Sequence, residues 1–179
     1  MGTPIAAGTP STAALIGVQQ LGGWSAAPAA RVDFGAARCD GQPLLLEAGT
    51  AAEAAFSKGD GGPWSIERIG RAREGGATAF ARLGDLLRRC HRLTTPAPTG
   101  GSIAWTPAPL AFPRLADDSL AERLTALDAP RPLAADLVFF RHGDTIALVA
   151  QVASPPGPDT ATTRTLVQQA EAKLLHFVP

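Results

Sequence analysis

The feature that most narrows the possible folds is the stretch Ala135–Val152, "ADLVFFRHGDTIALVAQV". Two apolar runs flank His142-Gly143-Asp144-Thr145. A glycine at the first central position suits a type II′ two-residue turn, whose twist matches that of the strands it joins. This register sets Phe140 opposite Ala147 and Phe139 opposite Leu148. Alternation then puts Val138, Phe140, Ala147 and Val149 on one face, and Leu137, Phe139, Ile146 and Leu148 on the other. A hairpin that is apolar on both faces needs cover above and below, so it is predicted to be the central pair of a sheet.

The cover is legible on either side of it. Phe80, Leu83, Leu87 and Cys90 recur at helical intervals within Gly76–Leu93. After the Pro155–Pro158 loop, Asp159 is placed to cap a last helix carrying Leu166, Ala170, Leu174 and Phe177 in one stripe. Earlier, Ser11 is expected to cap a short helix to about Gln20, stopped by Gly22-Gly23. Val32–Ala37 reads as a weak strand. Ala51–Ser57 and Trp64–Ala72 read as a hairpin turning at Gly59–Gly62, with Trp64, Ile66 and Ile69 inward and Glu67, Arg71 and Arg73 wet. Thr94–Pro113 is rich in Pro and Gly, a loop with a short strand at Ser102–Thr106, and a strand follows at Ser119–Leu127. Helices with hairpins between them describe an α+β domain on an antiparallel sheet. Residues 1–10 read as a flexible tether and 11–179 as one domain, a length that buries a real core.

The two cysteines, Cys39 and Cys90, lie 51 positions apart, without a second cysteine or a histidine at zinc-finger spacing. Two buried free thiols in a cytosolic protein are one reading. The other, preferred because Cys90 falls on the buried stripe of its helix, is a structural disulfide and with it an oxidising compartment. Met1-Gly-Thr-Pro has neither the basic nor the apolar region of an export signal, and no apolar run reaches membrane-spanning length. An exported chain would therefore meet the membrane only through an anchor or signal absent from this sequence.

Charge excludes more than it suggests. Lys and Arg together number 16 and Asp and Glu 16, so the basic excess that nucleic acid or an anionic lipid surface requires is missing. His91, His142 and His176 do not share metal-ligand spacing, and no metal or cofactor is expected. There is no Gly-x-Ser-x-Gly elbow. The consecutive Asp117 and Asp118 would point to opposite faces of a strand, which makes a poor acid/base pair, so no catalytic residues are assigned. "GDGG" at Gly59–Gly62 lacks the lysine of a phosphate loop and reads as a turn. Gly75-Gly76 at a helix start, near Arg71 and Arg73, has the makings of an anion site or is ordinary helix geometry. Trp24, Trp64 and Trp105 are either core or groove wall. With Arg71 and Arg73 they form the candidate ligand-binding set.

The order of these elements resembles a known family. An early Leu15–Trp24 segment with Gly-Gly-Trp precedes Cys39. A strand pair and the helix "ATAFARLGDLLRRC" lead to Cys90. Then come "LADDSLAERLTAL", the hairpin with Arg141-His142-Gly143-Asp144, and the helix "RTLVQQAEAKL". Over about residues 11–177 this is similar to the PknH-like extracellular sensor domains of actinobacteria, found on serine/threonine kinases and as free-standing lipoproteins. The resemblance implies extracytoplasmic location, a cleft-bearing α+β fold, and binding of a small ligand or an exported protein. It brings no catalytic residues, and the second cysteine pair often present in that family is missing here. The functional expectation is a non-enzymatic sensor or ligand-binding module. The alternatives are an interaction protein docking through a sheet face or edge, and a small enzyme with a site the sequence does not show.

Overall fold

The computed structural model describes residues 12–27, 32–44, 49–59, 61–97, 100–126 and 132–177. The expected tether and the Ser11 cap lie outside them. Ten strands form one antiparallel sheet: β1 (Ser25–Ala26), β2 (Arg38–Cys39), β3 (Gln42–Pro43), β4 (Gly49–Ser57), β5 (Trp64–Arg71), β6 (Leu93–Pro96), β7 (Ser102–Pro109), β8 (Asp118–Ala126), β9 (Leu133–His142) and β10 (Thr145–Ala153). Their order is β1-β4-β5-β10-β9-β8-β7-β6-β2-β3. Among the described residues two α-helices accompany them, α1 (Gly76–Arg89) and α2 (Thr160–Phe177). The fold class is α+β, as the sequence indicates.

From β6 to β10 the chain runs as a meander, each strand beside the next. β5 pairs with the far side of β10, so α1 must carry the chain across one face of the meander to reach β6. β7 is shared along its length: residues 102–105 pair with β6 and residues 106–109 with β8.

The β9–β10 hairpin has the expected register, with Phe140 facing Ala147 and Phe139 facing Leu148. Gly143 takes φ 55° in the turn, a value natural for glycine. Both faces are covered. Leu137, Phe139 and Leu148 pack with Phe80, Leu83 and Leu87 of α1, and with Phe34, Leu93 and Trp105. Val138, Phe140, Ala147 and Val149 pack with Leu166, Val167, Ala170 and Leu174 of α2. Burying a large aliphatic or aromatic side chain contributes roughly 1.5–3 kcal/mol, so these two layers supply the main driving force.

Several local expectations are corrected. The first helix is instead two short 3-10 turns, Thr12–Ala14 and Val18–Gln20. The expected strand at Val32–Ala37 is a 3-10 turn, Phe34–Ala36, because the Asp33 carboxylate accepts from the Ala36 N–H. The loop from Thr94 contains a hairpin, β6–β7. Phe177, assigned to the buried stripe of α2, is an exposed helix end beneath the Lys173 ammonium. Glu67, expected to be wet, is 1% exposed. Glu67 is covered because β5 lies inside the sheet against β10 and shares the cover of both faces.

Cys39 in β2 and Cys90, the residue that ends α1, form a disulfide with a Cα–Cα distance of 5.5 Å. The bond ties the outer strands of the sheet to the end of the crossing helix. Cys90 is half-buried beyond the last helical turn rather than within it.

Candidate binding groove

Pro107 and Pro109 in the second half of β7 and Pro113 beyond it remove backbone donors, and past Pro109 the chain no longer continues as a regular strand. Leu110 still donates to the Ala121 carbonyl at 3.0 Å, and the chain then lifts away from β8. Three contacts fix it there. The Leu115 N–H donates to Ser119 Oγ at 3.1 Å. The Ala116 N–H donates to Glu171 Oε1 of α2 at 2.5 Å. The Arg114 guanidinium donates to the Asp117 carbonyl at 2.8 Å. Between this segment and the sheet is a half-open groove of about 200 Å³, lined by Leu110, Phe112, Ser119, Leu120, Ala121 and Val138. The methyl group of Ala121 leaves the recess where a larger side chain would fill it. The lining side chains are apolar apart from Ser119, and exposed backbone groups make the groove surface more polar than apolar.

One rung along the same face, about 7 Å further, is Arg123. It is bound to the fully buried Asp136 through Nε at 2.7 Å and Nη2 at 2.8 Å. Thr163 of α2 donates to Gln151 at 2.5 Å and lies 3.1 Å from Asp136. Arg123 Nη2 also reaches the Pro158 carbonyl at 3.3 Å. The bond to Asp136 raises the pKa of Arg123. This network fastens the first turn of α2 to β8, β9 and β10.

The other end of the hairpin carries a second ionic cluster. Arg141 gathers both consecutive aspartates. It donates to Asp117 Oδ2 at 3.2 Å, and to Asp118 Oδ2 from Nε at 3.1 Å and from Nη2 at 2.6 Å. Asp117 also accepts from the Gly143 N–H at 2.8 Å, and that bond, with Arg141 and His142 beside it, holds its carboxyl below the usual range. The next turn residue, Asp144, accepts from the Gly76 N–H at 2.9 Å, which with Arg71 lowers its pKa. The start of α1 thus receives the chain's own carboxylate where an external anion was considered. Gly76 is required there, because a Cβ would stand 2.1 Å from the Gly143 carbonyl oxygen.

The residues singled out as a ligand set do not converge. Trp105 is 1% exposed, its Nε1–H donating to Thr95 Oγ1 at 2.9 Å and its ring 5.7 Å from that of Phe34. Trp24 packs on the α2-side core and Trp64 on the α1-side core. Arg71 pairs with Asp144 at 3.6 Å at the opposite end of β5, and Arg73 is exposed. The three histidines also stand apart: His91 beside Asp40, His142 beside Asp117, and His176 against Phe177.

Sequence reasoning missed the groove because its walls meet only in the tertiary fold, and it missed Glu67 for the reason given above. Glu67 lies on the same row of the sheet as the groove floor, in the register Ala54–Glu67–Val149–Val138–Ala121. It stands two strands from Val138, roughly 10 Å away. Its Oε2 accepts from the Ile16 N–H at 2.6 Å, while Oε1 is buried without a partner among the described residues. Burial pushes its pKa up to about 7, against the opposing effects of the Ile16 bond and the Lys173 charge.

No family model matches the chain, and no curated protein matches it in sequence. The architecture, an antiparallel sheet with a mid-chain helix on one face and the C-terminal helix on the other, nonetheless has a counterpart. Among solved structures it is similar to the extracellular domain of PknH from Mycobacterium tuberculosis, with a TM-score of 0.63 and 12% identity over 92% of this chain and 94% of that one.

Proposed function

We propose that this chain is an extracytoplasmic, non-catalytic sensor or ligand-binding module, related to PknH-like domains, that takes a small apolar ligand in the groove between residues 110–117 and β8–β9. The observation that carries this reading is the fold likeness, which spans nearly the whole of both chains and joins this one to an extracellular domain. The disulfide supports an oxidising compartment. The groove supplies a site of suitable chemistry: apolar side chains to hold an apolar moiety, with the Ser119 hydroxyl and exposed backbone groups to orient a polar end. Its volume of about 200 Å³ suits a short apolar moiety rather than a drug-sized molecule.

Native mass spectrometry after incubation with a lipid and small-metabolite extract tests the reading. The expected result is a discrete adduct on the wild-type protein that is lost in Ala121→Leu, where the added side chain fills the recess. No adduct, or one that survives in Ala121→Leu, removes the groove as the site.

A second reading, docking of another exported protein, has one observation in its favour. Among the described residues, β4 is paired on its outer side only near Ser57 and Phe56, with Ala27 bonding to Ala55. Among the described residues, 49–54 have no partner on that side, and such an edge suits strand addition. Docking on a sheet face has no such support, because helices cover both.

A further inference from the structure

Residues 12–24 lie across the α2 side of the domain without a ladder of their own. Ala14, Leu15, Ile16 and Leu21 are buried with Phe56, Ile69 and the inner face of α2. The side-chain hydrogen bonds that fasten this strap to the body include Ile16 N–H to Glu67 Oε2 at 2.6 Å and Gln169 Nε2 to the Gln20 carbonyl at 3.2 Å. The strap contains no ionisable side chain, and the neighbours of Glu67 on β4 and β10, Ala54 and Val149, are apolar. α2 contributes Lys173, whose ammonium lies 5.4 Å from the centre of the Phe177 ring, and Glu171, which is engaged with the Ala116 N–H.

Among the described residues an ionised Glu67 is therefore held by one N–H and a cation that makes no contact ion pair with it, while Oε1 has no donor. A buried carboxylate in that condition is costly. The neutral acid keeps the Ile16 bond through its carbonyl oxygen and removes the charge. Lifting the strap admits water to both oxygens and relieves the cost in another way.

We propose that Glu67 is a proton-operated latch: the strap at residues 12–24 is held down while Glu67 is protonated and is released as Glu67 ionises, uncovering the apolar face formed by Phe56, Ile69 and α2. The latch goes beyond the ligand-binding reading and holds whether or not the groove is occupied.

Hydrogen exchange of the whole chain, followed by mass spectrometry from pH 5.5 to 8 and corrected for intrinsic rates, tests it. Relief of a carboxyl held at about 7 against its ordinary 4.5 should raise the opening of residues 12–24 by about 25-fold across that range, with β9 and β10 unchanged. Glu67→Gln should keep the strap at its low-pH opening throughout. Lys173→Met, which removes the facing cation, should carry the rise to higher pH. Flat wild-type opening, or the same rise in Glu67→Gln, overturns the latch. If Glu67→Gln does not fold, the wild-type and Lys173→Met profiles decide, and coincident profiles overturn it.

Discussion

At Glu67, burial and charge act in opposite directions. The residue has a folded pKa of about 7 against an ordinary value of 4.5, so between those values the folded state binds more protons than the unfolded one. Its contribution is therefore most favourable below about pH 4.5 and is lost as pH rises toward 7, a change of about 3 kcal/mol. Asp117, Asp144 and Asp159 act in the reverse sense: their lowered pKa values favour folding above the usual carboxylate range, and that support disappears in stronger acid. Stability measured by urea titration should accordingly peak between about pH 4 and 5 and fall toward neutrality. Glu67→Gln should flatten the neutral limb, gaining up to about 3 kcal/mol over the wild type at pH 8 while nearly matching it at pH 4.5.

Individual elements are positioned by their ends. α2 begins where Asp159 accepts from the Ala161 and Thr162 N–H groups at 3.3 and 3.0 Å, so Asp159→Ala should lower stability by about 1 kcal/mol in thermal unfolding. α1 has no side-chain cap of its own at Gly75 and is capped instead by Asp144 from the hairpin turn. Gly76→Ala should cost more than the loss of that cap, roughly 2–3 kcal/mol for strain against the packed Gly143 carbonyl, and should loosen the β9–β10 turn as read by amide exchange. Arg123 binds Asp136 across β8 and β9, so Arg123→Ala strands a fully buried carboxylate and should cost roughly 3 kcal/mol.

For the whole molecule the disulfide closes a segment of 51 positions that includes β4, β5 and α1. In the chain-entropy model a loop of this length is stabilised by about 4 kcal/mol, so Cys39→Ser with Cys90→Ser should lower the urea midpoint accordingly. The unfolded, unreduced protein should show no reactive thiols on titration. Two reactive thiols would remove both the staple and the compartment argument that depends on it.

Much of this architecture was legible because its signals are local. The hairpin register follows from one glycine turn and two alternating runs, and a strand pair apolar on both faces demands covering layers. The α1 and α2 stripes named those layers, and the disulfide joined the two cysteines present. What the sequence could not decide is what depends on strand order. Nothing local to "WSIERIGR" says that β5 lies inside the sheet, so Glu67 read as a solvated residue. Asp117 and Asp118 read as diverging side chains, although the Arg141 guanidinium, 24 and 23 residues away, draws both to one point. The groove needed Leu110 and Phe112 brought over Ala121 and Val138 by a lifted loop. Periodicity along the chain fixes which way a side chain points, whereas burial, charge cost and concavity depend on what the rest of the chain places opposite it.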